Sequence, residues 1–328
     1  MKNLIIIGLG KWGETLVKSV QNKSKFVRFS SVISRNPKKI VKISKKYNLK
    51  AFNDLSTALK SSIIDGIVLC TPHSTHEKTI KKLVKFNKPI FVEKPLALNS
   101  KSAKNIIKIC NLYGIKLAVG HNRRFLSTYK YLKKIIESKK IGQITHLEGT
   151  FSGKSSFKGE KKSWRNKITE TPLGGMTGKG IHITDLMINL NGKVKNVLAR
   201  SKKILKDSEL DDSTDLIFEF KNGVMGYVST ILATSKFWEL KVYGSNGIVR
   251  VINEKDLFLK IGNKKEKQIK LKYENIEKAE LEAFAKSIKS KKDFPVRLSE
   301  VFENTKLFES ALISVSYTHL TLPTIYSV

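Results

Sequence analysis

The chain reads as α/β: a doubly wound parallel sheet, followed by an α+β domain with a large, mostly antiparallel open sheet. Three observations predict this. Between Lys2 and Val119 short apolar runs alternate with amphipathic segments, the rhythm of βαβ units. The first run ends in Gly8-Leu9-Gly10-Lys11-Trp12-Gly13, a glycine spacing that belongs between a strand and a helix. Past residue 122 the strands lengthen and alternate in polarity, and Asn222-Gly223 and Asn246-Gly247 are placed as hairpin turns. The expected division is 1–121 and 122–314, and 328 residues suffice for two domains.

A hydrophobic content of 40% supports packed cores and argues against disorder. No apolar run reaches the ~18 residues of a membrane helix, and Leu4-Ile5-Ile6-Ile7 runs into glycines without a signal-type cleavage site. Cys70 and Cys110 sit in apolar surroundings as small packing residues, so the cytoplasm is the expected compartment. The net charge is +34, yet only eight of the 62 basic residues are arginine and the lysines are spread over every expected helix. Nucleic-acid readers gather basic residues on one face. An even lysine coat points away from nucleic acid and leaves a long-range pull on anionic small molecules. From Ser316 the helical pattern breaks, and Ser316 to Thr324 resembles the translation of a transposase adapter used in sequencing libraries. Residues 315–328 are therefore expected to be a non-native tail.

Taken in order, Lys2–Ile7 is a strand and Trp12 to about Lys23 a helix. Gly8, Gly10 and Gly13, with Lys11 and Trp12 between them, let backbone approach a pyrophosphate at a helix amino end. A strand from Arg28 to Ser34 ends about 20 residues past the third glycine, where an acid ordinarily reads the adenosine ribose. Ser34-Arg35-Asn36 stands there instead. A hydroxyl beside a guanidinium suits a 2′-phosphate, which favours NADP, with NAD as the alternative. Helices follow at Pro37–Tyr47 and Leu55–Lys60, with a short strand at Lys50–Asn53. The buried strand Gly66–Cys70 closes at Thr71-Pro72, on the cofactor edge, and His73 and His76 open the next helix. Two histidines three apart, with no third ligand, suit capping and packing better than a metal.

Pro89 to Val92 is an apolar run that stops at Glu93-Lys94-Pro95. A group at a strand's carboxyl end in such a sheet faces the crevice where ligands bind, so Lys94 is the one lysine with a structural reason to be chemical. Pro95 restricts it to extended geometry, and a cis Lys94-Pro95 bond is one way to aim the amine. A helix at Ser100–Leu112, a strand at Ile115–Val119 and a helix to about Lys139 come next. Strands are expected at Thr145–Phe151, Val194–Arg200, Leu216–Phe220, Val224–Thr230, Leu240–Tyr243 and Ile248–Ile252. Helices at Ile276–Ser290 and Leu298 to about Ser314 finish the chain. Within this region four glycines between Gly174 and Gly180 lead into a helix that carries His182 and Asp185 on one face. Read alone, a packed helix histidine is the more ordinary interpretation.

Together, Gly8-x-Gly10-x-x-Gly13, Thr71-Pro72 with His76, Glu93-Lys94-Pro95, Asn122-x-Arg124-Phe125, Trp164-Arg165, and Gly174-Gly175 followed by Gly180-Ile181-His182 and Asp185 carry a resemblance. From about residue 2 to 314 the chain resembles the glucose–fructose oxidoreductase / inositol dehydrogenase (Gfo/Idh/MocA) family. The resemblance implies a Rossmann-type domain and an open-sheet domain that commonly builds homodimers or homotetramers. It implies hydride transfer between NADP or NAD and a hydroxyl of a sugar, sugar derivative or cyclitol. It places Lys94 at the reacting oxygen and His182 beside it as partner acid/base, the other imidazole nitrogen oriented by a neighbour. Arg124, Trp164 and Arg165 would position substrate, with Asp185 supporting them, while Thr71, Pro72, His76 and Glu93 would face the cofactor. Many members carry an aspartate four residues before the histidine; this chain has Gly178, then Lys179. A Lys-Asp-His relay therefore does not transfer whole, which keeps a catalytically silent ligand-binding regulator as the alternative. Lys179 is expected to be solvated rather than to meet an acidic substrate.

Overall fold

The computed structural model describes residues 1–34, 37–154, 163–205, 209–290 and 292–317. Six parallel strands form the first sheet: β1 (Lys2–Ile7), β2 (Val27–Ile33), β3 (Lys50–Phe52), β4 (Gly66–Leu69), β5 (Ile90–Glu93) and β6 (Leu117–Gly120), in the order β3-β2-β1-β4-β5-β6. The helices between them are α1 (Lys11–Val20), α2 (Pro37–Tyr47), α3 (Leu55–Ser61), α4 (His76–Leu83) and α5 (Ser100–Leu112). Strands β4 and β5 are buried along their whole length, because helices cover both faces of a parallel sheet; hence their unbroken apolar sequence. Side-chain caps start the helices where the sequence supplies them. Asp54 accepts from the Thr57 amide (2.9 Å) and Asn99 from that of Ser102 (2.8 Å).

The second sheet has eight strands in the order β14-β13-β12-β11-β7-β10-β9-β8. They are β7 (Ile144–Ser152), β8 (Val194–Lys202), β9 (Ser213–Phe220), β10 (Met225–Ile231), β11 (Phe237–Gly244), β12 (Gly247–Ile252), β13 (Asp256–Ile261) and β14 (Lys267–Ile269). All neighbours pair antiparallel except β7 and β10, which run parallel. One face packs beneath α6 (Ser127–Glu137), α7 (Ile181–Asn191) and α9 (Leu298–Tyr317). The other face carries a cross-strand row of Leu198, Ile217, Tyr227, Glu148, Lys241 and Arg250. Helix α8 (Ile276–Ser287) returns to the first sheet, laying Phe284 against Phe91 with ring centroids 5.6 Å apart.

Four differences from expectation matter. β13 and β14 were not anticipated, since their alternation is short and flanked by lysines. Helix α1 starts at Lys11 and stops at Val20, short of Lys23. The glycine-rich stretch is already helical, one wide turn over Met176–Gly180 running straight into α7. Gly175 and Gly180 serve close packing, for a Cβ on Gly180 would lie 2.0 Å from Met176 Sδ and one on Gly175 3.0 Å from Thr230. Helix α9 continues to Tyr317, three residues past the expected end, and 318–328 lie outside the described residues. Among the described residues no helix is long and apolar enough to cross a membrane.

Candidate active site

The carboxyl edge of the parallel sheet gathers the glycine turn, the Thr71 turn and Lys94. Gly8 has φ +99°, and a Cβ there would lie 2.3 Å from the Cys70 carbonyl oxygen; one on Gly13 would lie 2.4 Å from that of Gly8. The turn is therefore packed glycine against backbone. Gly10 is the exception: it caps α1, and a Cβ there would meet nothing within 4 Å. Open space before a helix amino end fits a pyrophosphate, which the aligned amides and the helix dipole attract. Ser34 ends the neighbouring strand, and Arg35 lies outside the described residues.

Thr71 Oγ1 shares a 2.8 Å hydrogen bond with Thr75 Oγ1, which donates to the Pro72 carbonyl at 2.6 Å. His76, expected to face the cofactor, is fully buried behind this turn. Its Nδ1 lies 3.1 and 3.2 Å from the carbonyl oxygens of Pro95 and Leu96, and its Nε2 lies 3.1 Å from that of Thr71. Both ring nitrogens face backbone carbonyls, of the cofactor-side turn on one side and of the turn that follows Lys94 on the other, so the imidazole is turned into the protein.

Lys94 is half-buried just beyond β5, its bond to Pro95 is cis, and its Nζ donates to the Gly178 carbonyl at 2.8 Å. Loss of water pulls its pKa well below the ordinary lysine range, with the Arg123 and Arg165 charges adding to the effect and Glu93 opposing it. Glu93 moves the other way: burial raises its carboxyl above the usual range, and the Trp12 indole, Lys94 and Arg165 oppose the rise. Beneath both lies Glu280, which sequence reading missed. It is wholly buried, neither carboxyl oxygen has a hydrogen-bond partner among the described residues, and burial with the Glu93 charge drives its pKa far up. The placement follows from the packing. Phe284 meets Phe91, so Glu280, one turn before Phe284, comes beside Glu93, two residues after Phe91 on the same strand face.

His182 reaches this site from α7. Arg123 Nη1 lies 3.2 Å from its Nε2; arginine only donates, so Nε2 is the acceptor and the proton sits on Nδ1. Burial, then Lys94 and Arg123, hold the ring neutral. Nδ1 is buried without a partner among the described residues, so the expected orienting neighbour on that nitrogen is not there. Arg123, not singled out from the sequence, does the orienting from the opposite side, itself held by Glu254 at 2.8 Å.

Arg124 and Asp185 come together, though not around a substrate. Arg124 Nε and Nη2 donate to the two Asp185 oxygens at 2.8 and 2.7 Å, while Nη1 donates to Glu300. The Arg124 and Asp185 side chains are only 4% and 1% exposed. This guanidinium gives three of its five N–H groups to two carboxylates, and so clamps α7 and α9 behind His182. Trp164 and Arg165 do reach the crevice. The Arg165 guanidinium stacks 4.3 Å over the indole, which packs edge-on to His73 at 4.9 Å, and its charge is felt by Glu93 and Lys94. Lys179 is buried rather than solvated. Gly178 leaves its surroundings open, for a Cβ there would meet nothing within 4 Å.

Comparison with known proteins is consistent with this arrangement. The profile described as "Oxidoreductase family, NAD-binding Rossmann fold" matches residues 2–121, and that of the GFO/IDH/MocA C-terminal domain matches residues 129–250. An uncharacterized protein of Saccharomyces cerevisiae is 31% identical over 223 residues, 65% of this chain and 62% of that one, so under two thirds of its length is matched. Inositol 2-dehydrogenase of Rhizobium meliloti is 23% identical over 263 residues, 78% of this chain and 77% of that protein. Levoglucosan dehydrogenase, solved with NADH and L-sorbose, shares the fold at a TM-score of 0.87 and 17% identity, covering 96% of each chain. The glycine turn and the Lys94 strand end lie within the first matched stretch and the His182 helix within the second, and the chain belongs to the GFO/IDH/MocA oxidoreductase family.

Proposed function

We propose that the chain is an NADP-preferring oxidoreductase that moves hydride between nicotinamide and a hydroxyl or carbonyl of a sugar, sugar derivative or cyclitol. The observation that carries this reading is the meeting of Lys94, from the first sheet, with the His182 helix of the second, through the Lys94–Gly178 hydrogen bond. Gly8, Gly10, Lys11, Trp12 and Gly13 would hold the dinucleotide pyrophosphate side, and Thr71 and Pro72 its inner edge. A bound nicotinamide supplies the hydride acceptor or donor. Lys94 accepts the hydroxyl proton on oxidation and returns it on reduction, a task helped by a pKa brought down toward neutrality. His182 lends the second polar contact to the reacting oxygen once Arg123 yields its place on Nε2. Trp164 and Arg165 close the crevice over the substrate. The proposed division of labour gives 1–121 to the cofactor and 122–314 to substrate and assembly. Ser34 and Arg35 are the ground for preferring NADP, and two chains pair through the uncovered sheet face.

The test is a screen of sugars, sugar acids, cyclitols and nucleotide sugars, following NADPH and NADH absorbance, repeated on Lys94→Ala. Turnover should fall about 10²–10⁴-fold, the usual worth of a proton-handling group, with NADPH binding nearly intact. Turnover that survives this substitution overturns the proposal. The guanidinium already on His182 Nε2 favours one second reading, a silent dinucleotide- and ligand-binding regulator. That reading requires wild type and Lys94→Ala to be equally inactive on every compound that binds.

A further inference from the structure

Lys179 follows the residue that holds Lys94, but its side chain runs to the end of β7, where Nζ donates to the Gly153 carbonyl at 2.5 Å. The residue is 8% exposed. Its ammonium lies 5.5 Å from the centre of the Phe151 ring, Arg123 Cζ lies 5.4 Å from the same centre, and the His182 ring 6.4 Å away. Of the neighbouring cations, Arg123 pairs with Glu254 and Arg124 with Asp185 and Glu300, while Lys94 donates to a carbonyl and has Glu93 beside it in the chain. For Lys179, among the described residues no carboxylate is within ion-pair distance, and its surroundings are one carbonyl, an aromatic face and the like charge of Lys236. Burial and Lys236 both push its pKa down, to about 8, with nothing opposing them. A buried ammonium with one hydrogen bond has two donors unused and an uncompensated charge, a state that favours an incoming oxyanion.

We infer that the substrate carries an anionic group, a carboxylate or a phosphate, received by Lys179 at the Phe151 end of the site, while its reacting carbon lies at Lys94. The inference rests on the hydride-transfer reading for the second clause only; anion selection by Lys179 stands apart from turnover.

The experiment measures binding to the NADP-loaded protein by intrinsic tryptophan fluorescence, using probes that differ only in the anion. D-gluconate is set against D-sorbitol, and D-glucose 6-phosphate against D-glucose. A charge-assisted hydrogen bond in a buried site makes the anionic member of at least one pair about tenfold or more tighter. Lys179→Met should abolish that preference and Lys179→Arg keep it, with NADPH affinity unchanged in both. The two pairs also separate carboxylate from phosphate. Neutral members binding as well as anionic ones, no anionic member binding at millimolar concentration, or a preference that outlives Lys179→Met each overturns the inference. The two proposals fail separately. Anion selection without any turnover leaves Lys179 standing and removes the oxidoreductase reading. Lys94-dependent turnover of neutral polyols, untouched by Lys179→Met, does the reverse.

Discussion

Glu280 shows how far single residues were legible. It sits in Ile276-Glu277-Lys278-Ala279-Glu280-Leu281-Glu282, a run that reads as a solvated charged helix face, and only the seating of Phe284 on Phe91 turns it inward. Lys94 was readable because an apolar strand stopped at it. Arg124 was singled out by its motif and Arg123 passed over, since adjacent identical residues point different ways and sequence does not say which one faces His182. The buried carboxyl has a measurable consequence. Below the ordinary glutamate pKa, folded and unfolded chains both hold the Glu280 proton. Above it the folded chain alone keeps the proton, so stability falls as pH rises toward the raised folded pKa. Glu280→Gln removes that slope, and thermal unfolding should show the variant gaining on wild type between pH 5 and pH 8. A constant difference across that range contradicts the account.

At the scale of elements, the strands and helices of the parallel sheet were legible from alternation alone, with ends displaced by a few residues. The packing of α7 was not, because it depends on what lies opposite. A Cβ on Gly149 of β7 would lie 2.4 Å from Ile183 Cγ2, so the helix rests on bare backbone there. Behind it, Arg124 ties Asp185 of α7 to Glu300 of α9. Arg124→Met strips both carboxylates of their buried partner and should cost about 3–5 kcal/mol, the usual penalty for breaking such a pair. Urea denaturation with a midpoint near wild type contradicts this role. The same residue was expected to contact substrate, but three of its five N–H groups meet two carboxylates and its side chain is 4% exposed, which suits a clamp better than a substrate contact.

For the whole molecule, the uncovered sheet face carries exposed Leu198, Ile217 and Met225. Leu198 and Ile217 sit opposite each other on β8 and β9. An apolar strip on a flat sheet suits a second copy of the same face. Light scattering after gel filtration should give a dimer or tetramer for wild type and a monomer for Leu198→Lys/Ile217→Lys. An unchanged mass rules out this face as the contact. The lysine coat that gives +34 is expected to add a salt-sensitive attraction for anions.

The lone parallel pairing of β7 with β10 has a topological consequence. β8 also runs in the direction of β7, yet stands three places away at the rim, so the polypeptide leaving β7 must cross over the sheet to begin again in the same sense. α7 is that crossover. The imidazole is thus carried past the amine by the crossover that a same-sense return to the rim requires, and rearranging the strands to remove that crossover would unmake the sheet itself.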